Sequence, residues 1–357
     1  MTSTAQQTPA TTPTTATTLA DKVAFLSRPE AYAHRPREVT CKQTHMSWVF
    51  LAGDKVYKLK KPVRFPYLDY STPQKREAAC RAELALNRRL APDVYERVEP
   101  LMQSPHGLAL GGPGEIADWL VVMRRLDETR TLENTIASGA LTAWQLDRVV
   151  ATLVAFYRRA HAVFVSPDSY LANWQQRLNS NKGILLDPRF SLPAGLIRRI
   201  DAAQRSFLKA RGRLIADRVR GRQIVDGHGD LRPEHIWLGD PVITIDCLEF
   251  NAGLRAVDPF DEIAYLCIEC DRLGAHWASR YIRRRAIHAL RDHLSDELFT
   301  FYRCHRATLR ARLSIAHLLE AEPRTPEKWP RLARSYLRIA AADAVRLERM
   351  LKTRASR

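Results

Sequence analysis

The chain has 357 residues, is 45% hydrophobic and carries a formal net charge of +17. That length suits one large domain or two ordinary ones, and no run of about eighteen apolar residues offers a membrane span. No basic start followed by an apolar stretch marks a secretory signal, so a cytoplasmic protein with no membrane partner is expected. The basic residues are dispersed rather than blocked, which is compatible with anionic partners such as nucleotides or phosphorylated metabolites. Nucleic acid is a possible but less favoured partner.

Residues 1–20 are mostly Thr, Ala, Pro and Gln. Such a segment buries too little apolar surface to fold and is expected to be a disordered tail. From Glu38 the pattern becomes strand-like: Glu38–Cys41, then Ser47–Ala52, then Lys55–Lys60 after a Gly53-Asp54 turn. In the last of these Val56, Lys58 and Lys60 share one face while Tyr57 and Leu59 take the other. Ser71-Thr72-Pro73-Gln74 starts a helix with a hydroxyl cap and a first-turn proline, and Glu77 and Glu83 lie along it. The continuous apolar run Trp119–Met123 reads as a buried strand.

Beyond residue 126 the period is helical. Thr142 and Gln145 form a capping box ahead of the stripe Leu146, Val149, Val150, Leu153, Val154 and Tyr157. Further amphipathic segments are expected over 193–215, 261–273, 286–294, 296–319 and 332–351. Cys267 and Cys270 form a C-x-x-C on a helical pattern with no second pair at zinc spacing, so a core role is expected. Strands followed by helices give an α+β organisation, divided into 21–125 and 126–357.

The densest chemistry is His228-Gly229-Asp230-Leu231-Arg232-Pro233-Glu234-His235, followed by the strand-like Val242–Ile245 and then Asp246. A turn presents one carboxylate, a cation lies two residues on, and a strand ends on a second carboxylate. Two acids so arranged suit phosphoryl transfer, one accepting a hydroxyl proton and the other holding a metal ion. No G-x-x-x-x-G-K-[ST] occurs, which argues against a P-loop enzyme.

This loop resembles the catalytic loop of the protein-kinase-like fold, H-R-D-L-x-x-x-N, in the form with Gly in second place found in aminoglycoside phosphotransferases and related small-molecule kinases. Asp246-Cys247-Leu248-Glu249-Phe250 and Asp258-Pro259-Phe260-Asp261-Glu262-Ile263-Ala264 look like the same family's next block, in order and spacing over about forty residues. The resemblance implies a two-lobed α+β fold with a β-rich nucleotide-binding lobe and a helical catalytic lobe. It implies ATP as cofactor with Mg2+, and a small-molecule hydroxyl as acceptor. Asp230 becomes the expected base and Arg232 a γ-phosphate contact. Asp246 becomes the metal ligand, and Asp261 and Asp258 become braces of the catalytic loop.

His235 stands where the family usually has a metal-binding Asn. Imidazole is a borderline ligand, so Mn2+ is also expected to serve, or His235 only braces the loop. Lys58 is the expected phosphate lysine with Lys60 as the alternative, and Glu83, or else Glu77, its helix partner. Backbone groups around Met123–Arg125 are expected at the adenine, and the turn Cys41–Met46 over the phosphates. Larger proteins of similar sequence pair this domain with a C-terminal P-loop kinase domain. A catalytically silent module that binds nucleotide or RNA is the alternative, and AMP transfer by the same fold a third possibility. Residues 168–215 hold nine basic side chains against three acidic ones, which favours a neutral or anionic acceptor over a polycationic aminoglycoside.

Overall fold

The computed structural model describes residues 17–65, 67–320 and 322–355. The chain separates into two compact units, one formed by the residues up to Arg88 with Pro92–Leu126, the other by Arg89–Ala91 with Asp127 onward. Most of the expected tail lies outside the described residues. A helix already starts within it, α1 (Leu19–Leu26), under a capping box of Thr18 and Asp21.

The first unit is built on a six-stranded sheet of order β1-β2-β3-β8-β6-β7, antiparallel throughout. β1 (Val39–Gln43), β2 (Ser47–Ala52) and β3 (Lys55–Lys60) follow one another through tight turns. Gly53 sits at a φ of 64°, the left-handed conformation that the β2–β3 turn requires. The two-residue strands β4 (Arg64–Phe65) and β5 (Leu68–Asp69) pair with each other ahead of α2 (Pro73–Asn87). The Thr72 hydroxyl, rather than Ser71, caps α2 by accepting from the Lys75 amide. β6 (Tyr95–Ser104), β7 (Gly107–Leu110) and β8 (Glu115–Arg124) complete the sheet.

Strand alternation does the sorting in β3. Tyr57 and Leu59 enter a core with Leu26, Tyr32, Phe50, Leu120 and Val122, which leaves Lys58 and Lys60 on the other face, toward α2. That helix is tied to the sheet by a buried pair. Arg76 forks onto Asp118 of β8 at 2.7 and 2.8 Å, and Lys22 of α1 reaches the same carboxylate at 2.7 Å.

The second unit is mostly helical. α3 (Leu132–Ala137) precedes α4 (Ala143–Arg159), whose Thr142–Gln145 capping box and buried stripe match the sequence reading. α5 (Pro167–Leu185) was not legible in the sequence, because its buried face, Tyr170, Trp174, Leu178, Asn181 and Leu185, is interrupted by polar residues and includes one. α6 (Ala194–Arg220) extends further than expected. Then come β9 (Val225–Asp226), β10 (Ile236–Trp237), β11 (Ile243–Thr244), α7 (Ala252–Arg255) and β12 (Ala256–Val257). The helices α8 (Pro259–Arg272), α9 (His276–Leu290), α10 (Asp296–Ala316) and α11 (Lys328–Ala355) close the unit. None of the described helices is long and apolar enough to cross a membrane.

α8 is the central element: every residue from Pro259 to Cys270 is buried, both cysteines included. Its acids are therefore inside the protein, and each has partners. Arg218 of α6 forks onto Asp258 at 2.6 and 2.8 Å, and Arg306 of α10 onto Asp261 at 2.7 Å through each of two nitrogens. Glu269 takes Arg272, Arg310 and the Tyr336 hydroxyl. A fully buried ion pair is costly to break, because the surviving charge has no water to turn to. Asp261→Ala, which takes from Arg306 the acid it forks onto, should therefore cost about 3–5 kcal/mol of stability, read as a lowered urea midpoint of the helical circular-dichroism signal. A cost below about 1 kcal/mol would show that Arg306 finds solvent when that acid is gone.

Candidate active site

The loop between β9 and β10 is wrapped around one buried carboxylate. Glu262, fully buried in the first turn of α8, accepts from the Gly229 amide on Oε1 and from the His228 amide on Oε2 at 3.1 Å. Oε2 also accepts from the Tyr157 hydroxyl at 3.0 Å. Burial raises the Glu262 carboxyl above its ordinary value, and the two loop amides oppose the rise. Asp261, the expected brace, instead pairs with Arg306, and Asp258 caps α8 and holds Arg218. The sequence reading thus placed the brace one residue too early: helix geometry turns Glu262, not Asp261, toward the loop.

Two arginines clamp the base of the same loop. Arg89 donates to the Asp226 and Gly227 carbonyls at 2.9 and 2.8 Å, and Arg255 bonds the Asp226 carboxylate at 2.7 Å and the Leu248 carbonyl at 2.8 Å. Neither arginine was singled out from the sequence. Both lie in helical or loop stretches with no motif around them.

Within this frame the Asp230 carboxylate is held on both oxygens. Oδ1 accepts from the Tyr265 hydroxyl at 2.9 Å and Oδ2 from Arg232 Nε at 3.0 Å. Burial alone would raise the Asp230 carboxyl, but the Arg232 guanidinium and its other neighbours outweigh it and hold the group well below the usual carboxylate range. Arg232 in turn reaches Glu234 on its far side. Tyr265 is a functional candidate that the sequence did not suggest; it lies one helical turn beyond Glu262.

The two loop histidines have their roles set by their hydrogen bonds. His228, buried, places Nε2 at 2.9 Å from the Ile245 carbonyl, so Nε2 carries the proton and Nδ1 accepts the Asp230 amide at 3.3 Å. His235 places Nδ1 at 2.9 Å from the Asp230 carbonyl, so Nδ1 carries the proton. Its Nε2 lone pair then accepts from Arg232 at 3.1 Å and faces Asp246 Oδ2 at 3.6 Å. Asp246 follows β11 in a left-handed conformation, φ 65°, which Asp tolerates better than most residues and which directs its carboxylate back toward the loop.

In the first unit, Lys58 and Lys60 share one partner. Both reach Glu83, Lys58 Nζ to Oε1 at 2.8 Å and Lys60 Nζ to Oε2 at 2.6 Å. Glu77 pairs instead with Arg81 one helical turn on. Met123 is buried within β8, facing Val56 of β3 and Tyr95 of β6. The amides of Arg124 and Arg125 already donate to the Val94 and Asp54 carbonyls at 2.8 and 2.7 Å, so these two amides are not donors for a base. The expected phosphate loop is short, since β1 runs to Gln43. The Thr44 hydroxyl closes that turn on Ser47, accepting its amide at 2.9 Å.

The basic segment 168–215 is less electropositive than its composition. Lys182 and Arg205 hold Asp201, Arg189 holds Asp187, and Arg199, Arg211 and Arg213 pair with Glu348, Glu297 and Asp217. The last three acids lie outside the segment and halve the excess counted within it.

No protein-family model matches the sequence. Uncharacterized proteins of Mycobacterium tuberculosis and Mycobacterium bovis are each 31% identical over 314 residues, 86% of this chain. The chain spans 58% of the length of these relatives. Choline kinase from Cryptosporidium parvum superposes with a TM-score of 0.52 at 8% identity, covering 94% of this chain and 96% of that one. A choline/ethanolamine kinase family protein from Mesorhizobium loti gives 0.49 at 14% identity, covering 90% and 98%. The fold is thus the α+β protein-kinase-like fold. It is a fold shared with the Cryptosporidium parvum choline kinase, in keeping with the catalytic-loop motif.

The buried histidine at the loop carries a pH signature. Burial, with His235 adding, lowers His228 from 6.5 to about 4. Between those values the unfolded chain takes up a proton that the folded one refuses, so stability is lost as pH falls through that window. The span corresponds to about 3 kcal/mol. His305, buried and also lowered, acts in the same direction. Unfolding midpoints measured from pH 7.5 to pH 4.5 should fall on acidification, and less steeply in His228→Gln. A midpoint flat to pH 4.5 would contradict a neutral buried His228.

Proposed function

We propose that this protein is an ATP-dependent phosphotransferase that acts on an alcohol group of a small, neutral or anionic molecule. The observation that carries the reading is the Asp230 carboxylate, kept ionised between Arg232 and Tyr265 within a loop that also brings the His235 Nε2 lone pair to Asp246. An ionised carboxylate held at a fixed angle orients an acceptor hydroxyl and takes its proton as the phosphoryl group transfers. Arg232, beside it, suits the oxygens of the transferring phosphate. On this reading Lys58, Lys60 and Glu83, within 21–125, are nucleotide-binding groups, and the acceptor and catalytic groups belong to 126–357. A cytoplasmic location accords with such chemistry.

Asp246 Oδ2 would hold the metal ion, joined by His235 Nε2 once Arg232 turns from that nitrogen to the phosphate oxygens. One nitrogen and one hard oxygen make a mixed donor set that suits Mn2+ at least as well as Mg2+. The ion would neutralise phosphate charge. The acceptor's charge follows from the surroundings of Asp230. Two carboxylates of the same unit already face cations: Glu234 has Arg232, and Glu269 has Arg272 and Arg310. A polycationic acceptor needs uncompensated acids, so a sugar, nucleoside or phosphorylated metabolite fits better.

An ATP-consumption screen over hydroxylated metabolites, with Asp230→Asn as blank, tests this reading. That variant should lose turnover by at least about 10³-fold, within the range for general-base and orienting groups, while ATP affinity stays within a few-fold. Retained turnover would sink the assignment. Nucleic-acid affinity that collapses with salt, together with no ATP consumption for any acceptor, would favour the silent nucleotide- or RNA-binding module. Labelled α- and γ-phosphates would distinguish phosphate from AMP transfer.

Tyr265→Phe gives a second check. Losing the phenol donor lets the Asp230 carboxyl rise, so the acidic limb of the pH–rate profile should move to higher pH and kcat should fall about tenfold, as for loss of one charge-assisted hydrogen bond. An unchanged profile would show that Tyr265 does not tune the base.

A further inference from the structure

Helix α9 contains no acid. Its 15 residues, His276–Leu290, hold Arg280, Arg283, Arg284 and Arg285 and neither Asp nor Glu. A solvated helix face ordinarily mixes the two signs, because like charges four residues apart destabilise a helix. The buried side of α9 is Ala278, Ser279, Ile282 and Ala286. The other side carries Trp277, 41% exposed, and then Arg280, Tyr281, Arg284 and His288 at helical spacing. The arginine run is sorted by its partners. Arg283 goes to Asp296 and lies over Phe299. Arg285 pairs with Asp147 of α4 at 2.7 Å, and the Tyr281 hydroxyl donates to the same carboxylate at 2.9 Å. Asp147 is thus already matched, and it fixes the Tyr281 ring 6.4 Å from the Trp277 ring and 5.6 Å from the Arg284 guanidinium. Among the described residues, neither Arg280 nor Arg284 has a carboxylate partner.

The same side of α9 leads into a groove of about 420 Å3 against α4, lined by Arg158, His288 and Arg291 and by Ala151, Val154 and Ala155, with no acid among its lining residues. Arg158 is held there by the Ala289 carbonyl at 2.6 Å. Arg291 ends α9 at a φ of 54°, a conformation that glycine takes at less cost. On α4, Trp144 is 64% exposed on the side that carries Asp147, with the Arg148 guanidinium 4.7 Å from its ring. We propose that this face of α9 and the adjoining groove bind single-stranded nucleic acid without sequence preference. The inference does not rest on the phosphotransferase reading. From Trp277 to Arg291 the helix runs about 21 Å, longer than one small anion needs. Guanidiniums without carboxylates attract a phosphate backbone, and exposed indole rings beside them offer stacking faces to unpaired bases. A duplex hides its base faces. An acidic peptide has no flat group for the rings, and a membrane surface does not follow a recess as a strand does.

Fluorescence anisotropy of labelled oligothymidylate and oligouridylate with the full chain tests this. Four guanidiniums, those of Arg158, Arg280, Arg284 and Arg291, lack a carboxylate partner among the described residues. Four phosphate contacts give a slope of log affinity against log salt of about −3. R280Q/R284Q should halve that slope. W277A should weaken binding at least about fivefold at fixed salt, the loss expected for one stacked base, and leave the slope unchanged. W277F should restore most of the affinity.

Asp230→Asn should bind the oligonucleotides like the wild type. Loss of binding there would place the strand at the catalytic loop and overturn the assignment to α9. Tighter binding of a duplex, or of phosphatidylserine vesicles, than of either oligonucleotide would also overturn it. So would wild-type protein that binds neither oligonucleotide at about 50 mM salt, where such contacts are strong. A folded W277A protein with wild-type affinity would reduce the face to a charged surface without stacking. If W277A disturbs α9, the double arginine variant decides alone: an unchanged affinity and slope in R280Q/R284Q would overturn the proposal.

Discussion

The geometry of the candidate site depends on one buried acid at the start of α8. Glu262 can accept two successive loop amides only if the backbone passes directly over it, and that approach excludes side chains. A Cβ on Gly227 would lie 2.7 Å from Glu262 Oε2 and 2.6 Å from Val257, and one on Gly229 would lie 2.9 Å from Leu248 with φ already at +90°. Glycine before His228 is therefore a steric requirement of the carboxylate beneath and of Val257, and glycine after it a requirement of Leu248 and the positive φ. Once the loop is seated, the rest follows locally. The Asp230 amide docks on His228 Nδ1, His228 Nε2 docks on the Ile245 carbonyl, and the segment that carries Asp246 is fixed against the loop that carries Asp230.

The same logic explains much of the basic composition. A charge of +17 suggests a surface built for polyanions, yet many of the arginines are internal. Arg76, Arg218 and Arg306 each fork onto a buried carboxylate, and Arg303 and Arg310 pair with Asp343 and Glu269. A planar fork satisfies both oxygens of an acid that has left water, which an ammonium does less completely. Apart from Arg76, which ties α2 to β8, these arginines serve α8 and its neighbours, because three of the acids that need compensation, Asp258, Asp261 and Glu269, sit on or at the start of that one helix. Arginine content is here partly a measure of how many carboxylates the core contains.

Much of the fold was legible because its signals are local. Alternation in Lys55–Lys60, the Thr142–Gln145 box and the α4 stripe each depend on near neighbours in sequence, and each appears in the structure. The loop motif, which is contiguous, likewise pointed to the kinase-like fold. What was not legible depends on long-range contacts. Glu262 could not be told from Asp261 without knowing which side of α8 meets the loop, and the partnership of Lys60 with Glu83 spans 23 positions. Arg89 and Arg255 approach the loop from distant segments, so nothing in their immediate sequence marks them. α5 was missed for a different reason: its buried stripe includes Asn181, which blurs the apolar period.

His235 brings these strands of argument to the catalytic groups themselves. Its Nδ1 proton is committed to the Asp230 carbonyl, which fixes the ring and directs the Nε2 lone pair toward Arg232 and Asp246. One ring thus contacts the backbone of the proposed base, the side chain of the proposed phosphate contact, and the neighbourhood of the proposed metal ligand. An asparagine, the residue usual at this point in similar loops, is shorter and offers a hard oxygen rather than an imidazole nitrogen. The longer imidazole reaches Asp246 from a buried position, whereas the Asp246 side chain is 45% exposed. At the proposed metal site the exchange would soften the donor set. The buried frame of α8 determines where this ring can sit, and the ring determines which atom faces Asp246.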